Sequence, residues 1–315
     1  MPVLVLIALG GDAGPQVAPA SDVHDPGAYR ISVDVALVVL HATVSNRQGG
    51  FASNLREQDF QVYEDGVPQT IRLFRHEDIP VTVGLVVDHS GTMRPKLAEV
   101  AAATRTFVQF SHREDQMFVV NFNENVTLSL PEAIRFTDSS AELERAIANA
   151  PASGMTALYA AIAKALEQLQ AGDRDKKVLI VISDGGDNAS AQSLAQVMLT
   201  ADRSGAVIYT IGLFDPDDPD RNPGVLNRLA RATGGEAFLP GELSDVVAIC
   251  ERIARDIRNQ YTIGYVSTNT ARNGAYRAIR VVARAAGKSA LSVRTRAGYT
   301  AAGGEPRLGK NQGAK

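Results

Sequence analysis

Between residues 81 and 258, short apolar runs take turns with stretches of helical periodicity. Val81 to Val87, Asp115 to Phe122, Lys177 to Ser183 and Ala206 to Leu213 are nearly continuous apolar runs, the pattern of strands covered on both faces. Arg94 to Ser111, Ala141 to Asn149, Ala157 to Gln170, Ser193 to Ser204, Val225 to Thr233 and Leu243 to Arg258 repeat their apolar residues at helical spacing instead. Strand and helix in alternation predict a doubly wound, Rossmann-like α/β sheet, parallel for the most part.

Outside that region the period is two. Tyr29 to Ser45 places Ile31, Val33, Val35, Leu37 and Val39 on one face, which predicts a long half-buried strand with that apolar face covered. Asp59 to Glu64 runs into Asp65-Gly66 and returns over Gln69 to Phe74, a predicted hairpin. After the last helix, Gln260 to Val266, Tyr276 to Ala283 and Leu291 to Arg296 alternate again. Neither β module has a second layer of its own, and three lone strands are marginal in water. The expectation is one small β-sandwich-like domain built from both chain ends, with the α/β domain inserted between its halves. The expected division is 1–20 leader, 27–78 N-terminal β module, 79–258 α/β domain, 259–300 C-terminal strands and 301–315 disordered tail.

Composition narrows the class without changing this layout. The chain has 315 residues, 45% hydrophobic and 21% charged, with a formal net charge of −3. That balance gives no reason to expect nucleic acid as a partner. Its single Cys, Cys250, excludes a disulfide within the chain and falls on an expected helix as a small core residue. Met1 to Gly10 is apolar but too short to span a membrane. With the small-residue site Ala18-Pro19-Ala20 it predicts a secretory leader, lacking the usual basic start, and hence a secreted or periplasmic protein.

Chemistry enters at the end of the first core run. Val83 to Val87 stops at Asp88-His89-Ser90-Gly91-Thr92, an acid and two hydroxyls at the carboxyl end of a strand. In open α/β sheets that rim is where ligands bind. Oxygen donors with a carboxylate among them suit a hard divalent cation, Mg²⁺ first. The plain alternative is a strand-to-helix turn in which Ser90 or Thr92 caps the next helix. A dinucleotide site is excluded, because Asp88 stands where its glycine turn would be.

The pattern Asp88-x-Ser90-x-Thr92 resembles the metal-ion-dependent adhesion site of von Willebrand factor A domains. Two later pieces extend the resemblance: Thr156 in Ser153-Gly154-Met155-Thr156 before a helix, and Asp184 closing the run Val178 to Ser183. It implies a metal site of Asp88, Ser90, Thr92, Thr156 and Asp184 for Mg²⁺, or else Mn²⁺ or Ca²⁺. In the family the two hydroxyls bind the ion directly and the carboxylates often act through water. The resemblance also implies an antiparallel edge strand at Asn125 to Leu130. The wider chain, from FASNLREQDFQVYEDGVPQ through GLVVDHSGTM to QYTIGYVSTNT and RAGY, resembles the VWFA-related family of secreted bacterial proteins of the acidobacterial type.

Other residues stand beside the motif. His89 lies between two proposed ligands, where the family's side chain varies and points away. Asp187 reads as turn chemistry with Asn188. The acidic loop Asp215 to Asp220 emerges on the expected metal rim, either as a solvated loop, as a second cation site or as a wall selecting basic partners. Arg272, Arg277, Arg280, Arg284, Lys288, Arg294 and Arg296 share the C-terminal strands with no Asp or Glu among them. They form either the wet side of a sheet or a docking face for an anionic envelope polymer or an acidic partner. The functional expectation is a non-enzymatic adhesion module whose cation captures a carboxylate of a protein partner. A metal-assisted hydrolase and a structural envelope protein whose metal stiffens loops are the alternatives.

Overall fold

In the computed structural model, residues 37–215, 221–285 and 291–303 are described. The expected leader, the first part of the Tyr29 to Ser45 strand, residues 216–220 of the acidic loop, Lys288 and the tail beyond residue 303 lie outside them. Ala301 N donates to the Ala275 carbonyl, so the ordered edge runs past the expected start of the tail.

A six-stranded sheet is central, in the order β10-β9-β8-β5-β6-β7. Its members are β5 (Val81–Asp88), β6 (Gln116–Phe122), β7 (Val126–Leu128), β8 (Lys176–Ser183), β9 (Val207–Gly212) and β10 (Ala237–Phe238). All pairs are parallel except β6 with the edge strand β7. Every residue of β5 is buried, because helices cover both faces. On one side α1 (Leu97–Gln109), α2 (Ser140–Ala148) and α6 (Asp245–Arg258) pack against Val83, Leu85 and Val87. On the other, α3 (Leu158–Gln170), α4 (Leu194–Ser204) and α5 (Pro223–Thr233) pack against Val86, Val120 and Val181. Gly84 fits this layer only without a side chain, since a Cβ there would lie 2.5 Å from Phe118 and 2.6 Å from Leu179. The chain leaves β5 for β6 on one side and comes back to β8 on the other. The carboxyl ends of β5 and β8 therefore flank the crevice of a topological switch point.

The remaining strands make two antiparallel sheets, β13-β1-β11-β4 and β14-β12-β2-β3. The first holds β1 (Leu37–Ser45), β4 (Ile71–Arg75), β11 (Tyr261–Val266) and β13 (Ser292–Arg294). The second holds β2 (Phe60–Glu64), β3 (Val67–Gln69), β12 (Tyr276–Ala283) and β14 (Gly298–Thr300). N- and C-terminal strands thus pair directly, β1 with β11 and β2 with β12. One core joins the sheets, including Leu40, Ala42 and Val44 with Val62, Tyr261, Tyr265 and Val281.

Two expectations here need correction. Leu37 and Val39 are 43% and 39% exposed, while Leu40, Ala42 and Val44 are buried. The covered face of β1 has the opposite parity, because the two-sheet core lies on that side. The predicted return strand Gln69 to Phe74 is also two strands. β3 closes the hairpin with β2 through Asp65 and Gly66, both at positive φ as a tight Asp-Gly turn requires. The chain then crosses at Thr70, and β4 pairs with β11 in the other sheet.

The C-terminal arginines divide. Arg277 pairs with buried Glu64 at 3.3 Å, Arg294 with Asp256 and Glu236, and Arg296 with Asp202. Arg280 lies over the Tyr63 ring and, like Arg284, remains exposed.

Candidate metal centre

Asp88 ends β5 fully buried. Its Oδ1 accepts from Ser90 N at 2.8 Å and its Oδ2 from Ser183 Oγ at 2.6 Å. Both oxygens are thus held by the protein, which fixes the orientation of the carboxylate. Burial above all pushes the Asp88 carboxyl up to about 6; hydrogen bonds from Ser183 and Ser90 oppose this, and the charge of Asp184 adds to it.

After β5 the chain makes a 3-10 turn, Gly91–Lys96, before α1. Neither Ser90 nor Thr92 caps it: Ser90 makes no side-chain cap bond, which sets aside the plain reading. Ser90 Oγ instead lies 3.2 Å from Thr92 Oγ1, and Thr92 Oγ1 donates to Asp184 Oδ2 at 2.8 Å. Asp184 follows β8, and its Oδ1 accepts from Gly186 N at 3.1 Å. Two acids and two hydroxyls from separate loops therefore meet at the switch point.

Thr156 reaches the same rim through its backbone. Ser153 N donates to the His89 carbonyl at 2.9 Å, joining the two loops. Asn188 clasps Thr156 from both sides: its Oδ1 accepts from Thr156 N at 2.8 Å, and its N donates to the Thr156 carbonyl at 2.9 Å. Asp187 does more than turn chemistry, since its Oδ2 accepts from Tyr159 N at 2.7 Å in the first turn of α3. Ser190 Oγ accepts from Ala160 N at 3.0 Å. The 187–190 turn caps α3 from outside, compensating for Ala157, which offers no cap. Glu124 Oε2 accepts from Met155 N at 3.0 Å. Glu124 and Ser183 were not singled out in the sequence, and Asn188, four positions beyond Asp184, was read only as the turn partner of Asp187.

The side chains that meet here, the Asp88 and Asp184 carboxylates and the Ser90 and Thr92 hydroxyls, offer only oxygen, a chemistry that suits a hard divalent cation better than a thiophilic one. Among the described residues no cluster of three or more His, Cys, Asp and Glu forms a metal site of another kind. His89 does not face these hydroxyls. It is buried with neither ring nitrogen hydrogen-bonded, beside Asn121 and the Ala150 carbonyl, and burial holds its imidazole below the usual range.

Residues 83–186 match the family model of the von Willebrand factor type A domain. That stretch, which holds β5, β6, α3 and β8, is similar to von Willebrand factor A domains. Among solved structures, a von Willebrand factor type A protein from Catenulispora acidiphila is 14% identical, with a TM-score of 0.50, over 87% of this chain and 76% of that one. An aerotolerance-related membrane protein from Bacteroides fragilis is 15% identical over 56% of this chain and 98% of its own, with a TM-score of 0.46. A structure of proximal thread matrix protein 1 from the mussel byssus, with its own zinc-occupied MIDAS motif, is 16% identical over 62% of this chain and 50% of its own, TM-score 0.49. No curated protein matches the chain.

Removing the clasp on Thr156 tests the supporting layer. Asn188→Ala leaves Thr156 N unpaired, and the expected result is about tenfold weaker binding of Mg²⁺ or Mn²⁺, as for other residues that orient ligands. Isothermal titration measures it, and unchanged affinity would remove Asn188 from the site's support.

Proposed function

We propose that this protein is a binding module in which Asp88, Ser90, Thr92, Thr156 and Asp184 hold a divalent cation, Mg²⁺ before Mn²⁺ or Ca²⁺. The bound cation supplies a fixed positive charge with an open position for an acidic group of a protein partner. One observation carries the reading: Ser90, Thr92 and Asp184 converge in a continuous hydrogen-bonded set at the switch point, with Asp88 buried behind them. Met155, beside Thr156, is 54% exposed and offers the partner an apolar contact at the rim. Binding rather than catalysis is favoured because the motif's one imidazole, His89, packs away from the hydroxyls. The apolar start of the sequence supports a place outside the cytoplasm, secreted or periplasmic. Among the described residues no helix is long and apolar enough to cross a membrane. Among the described residues of the arginine stripe, Arg272, Arg280 and Arg284 are exposed and supply the cations for an anionic envelope contact. Capture of a protein from an envelope fraction on the immobilised chain should occur with Mg²⁺ and cease with EDTA. Equal capture under both conditions would exclude a cation-dependent site.

A further inference from the structure

Beside the metal centre, where the β6–β7 edge meets the end of α2, lies a cleft of about 600 Å³. It is within the usual size range for small-molecule sites. Asn121 and His89 lie buried at its floor, where the imidazole nitrogens are close to Asn121 Oδ1 and the Ala150 carbonyl but form no well-aligned hydrogen bond. Asn121 Nδ2 is spent on the Ala146 carbonyl at 2.6 Å. Native interiors rarely leave buried polar atoms so loosely paired, so their gathering at the base of one cleft favours a polar occupant.

The lining indicates which kind. Asn123, Asn125 and Asn149 border the cleft with planar amides. The side chains of Asn125 and Asn149 make no hydrogen bond to other described residues, and each can both donate and accept. Arg145 and Glu142 also border it, one cation against one anion, so the lining has no net charge to select an ion. The carboxyl end of α2 at this spot disfavours a concentrated anion further. Leu128, Leu130 and Pro131 give an apolar wall. Forked groups that donate and accept match neighbouring hydroxyls, and an apolar wall matches the C–H face of a ring.

We propose that this cleft binds a neutral saccharide of one or two rings. The site is separate from the cation's, though it shares structure with it. His89 N donates to the Phe122 carbonyl, and Ala157 N to the Asn123 carbonyl, so the cleft's wall is also the loop that braces the Asp88 and Thr156 segments.

Saturation-transfer NMR and isothermal titration with glucose, galactose, mannose, N-acetylglucosamine and maltose test this on the full chain, with and without EDTA. Glucuronate and glucosamine serve as charged comparators. At least one neutral sugar should bind under both conditions. The exposed pair Asn125→Ala/Asn149→Ala should weaken it about fivefold or more through lost hydrogen bonds. Ser129→Trp, which fills the cleft, should abolish binding, with circular dichroism as its fold control. The proposal is overturned if no neutral sugar binds, if a charged comparator binds as tightly, or if the double variant retains wild-type affinity. Because the EDTA arm removes the cation, sugar binding can survive or fail independently of the cation-dependent reading.

Discussion

Asp88→Asn is expected to abolish measurable Mg²⁺ and Mn²⁺ binding while leaving the fold intact. Asparagine is the informative replacement because both carboxylate oxygens already have protein partners, Ser90 N and Ser183 Oγ. Alanine would leave those buried donors unpaired at about 1–3 kcal/mol each, mixing a folding defect with a binding one. Asparagine keeps the volume and an acceptor for Ser90 N, and Ser183 Oγ can accept from its amide. What it removes is charge, at a position where burial already makes the carboxylate costly. Without that charge, Asp184 alone opposes the cation, so affinity should fall at least about a hundredfold, the upper end of effects from groups that support a metal site. Asp184→Asn should behave similarly, and Thr156→Ala should weaken binding less, because water replaces a hydroxyl more readily than a charge. Titration of each variant beside circular dichroism separates the cases. Asp88→Asn binding Mg²⁺ as wild type does would remove Asp88 from the centre, and with it the proposed ligand set.

The order of strands and helices was legible because each core strand of the central sheet is apolar on both faces and each covering helix on one. Asp88 and Asp184 were legible for a related reason: an acid directly after an apolar run has to sit at the rim. The parity of β1 was not, because Leu37, Val38, Val39 and Leu40 are apolar in succession and period two cannot choose between their faces. Only the position of the second sheet decides. The crossover at Thr70 was hidden likewise, since one residue between β3 and β4 leaves no turn signature. Asn188 holds Thr156, and Glu124 holds Met155 beside it, through backbone groups, which no motif records. Arg294 and Arg296 looked like an exposed stripe because Asp256 and Asp202, which bind them, are distant in sequence.

Asp256→Ala is expected to produce a large loss of stability. Asp256 sits on α6 almost fully buried, where the α/β layers meet the β sheets. Its Oδ1 accepts from Thr43 Oγ1 of β1 at 2.6 Å, and its Oδ2 from Tyr209 of β9 at 2.9 Å and from Arg294 of β13. Gln260 Nε2 closes the network onto Thr43 at 3.3 Å and Tyr209 at 3.0 Å. One carboxylate therefore ties the central sheet to strands from both ends of the chain. Truncating it leaves the Thr43 and Tyr209 hydroxyls without their buried acceptor and takes from Arg294 its buried carboxylate, leaving that guanidinium only Glu236 and the Gly234 carbonyl. Breaking a buried pair in this way costs about 3–5 kcal/mol, or roughly 10 °C in Tm for a domain of this size. Replacing both partners, Asp256→Leu with Arg294→Met, should cost less than the sum of the single changes, because no charge is then left unpaired. Urea and thermal unfolding of the four proteins give the coupling. A single variant within about 0.5 kcal/mol of wild type, the range of ordinary surface changes, would show that the clasp contributes nothing. If the clasp is broken but each part keeps its own transition, unfolding should split in two, with the β strands melting first and the six-stranded sheet, whose core is the larger, melting after them.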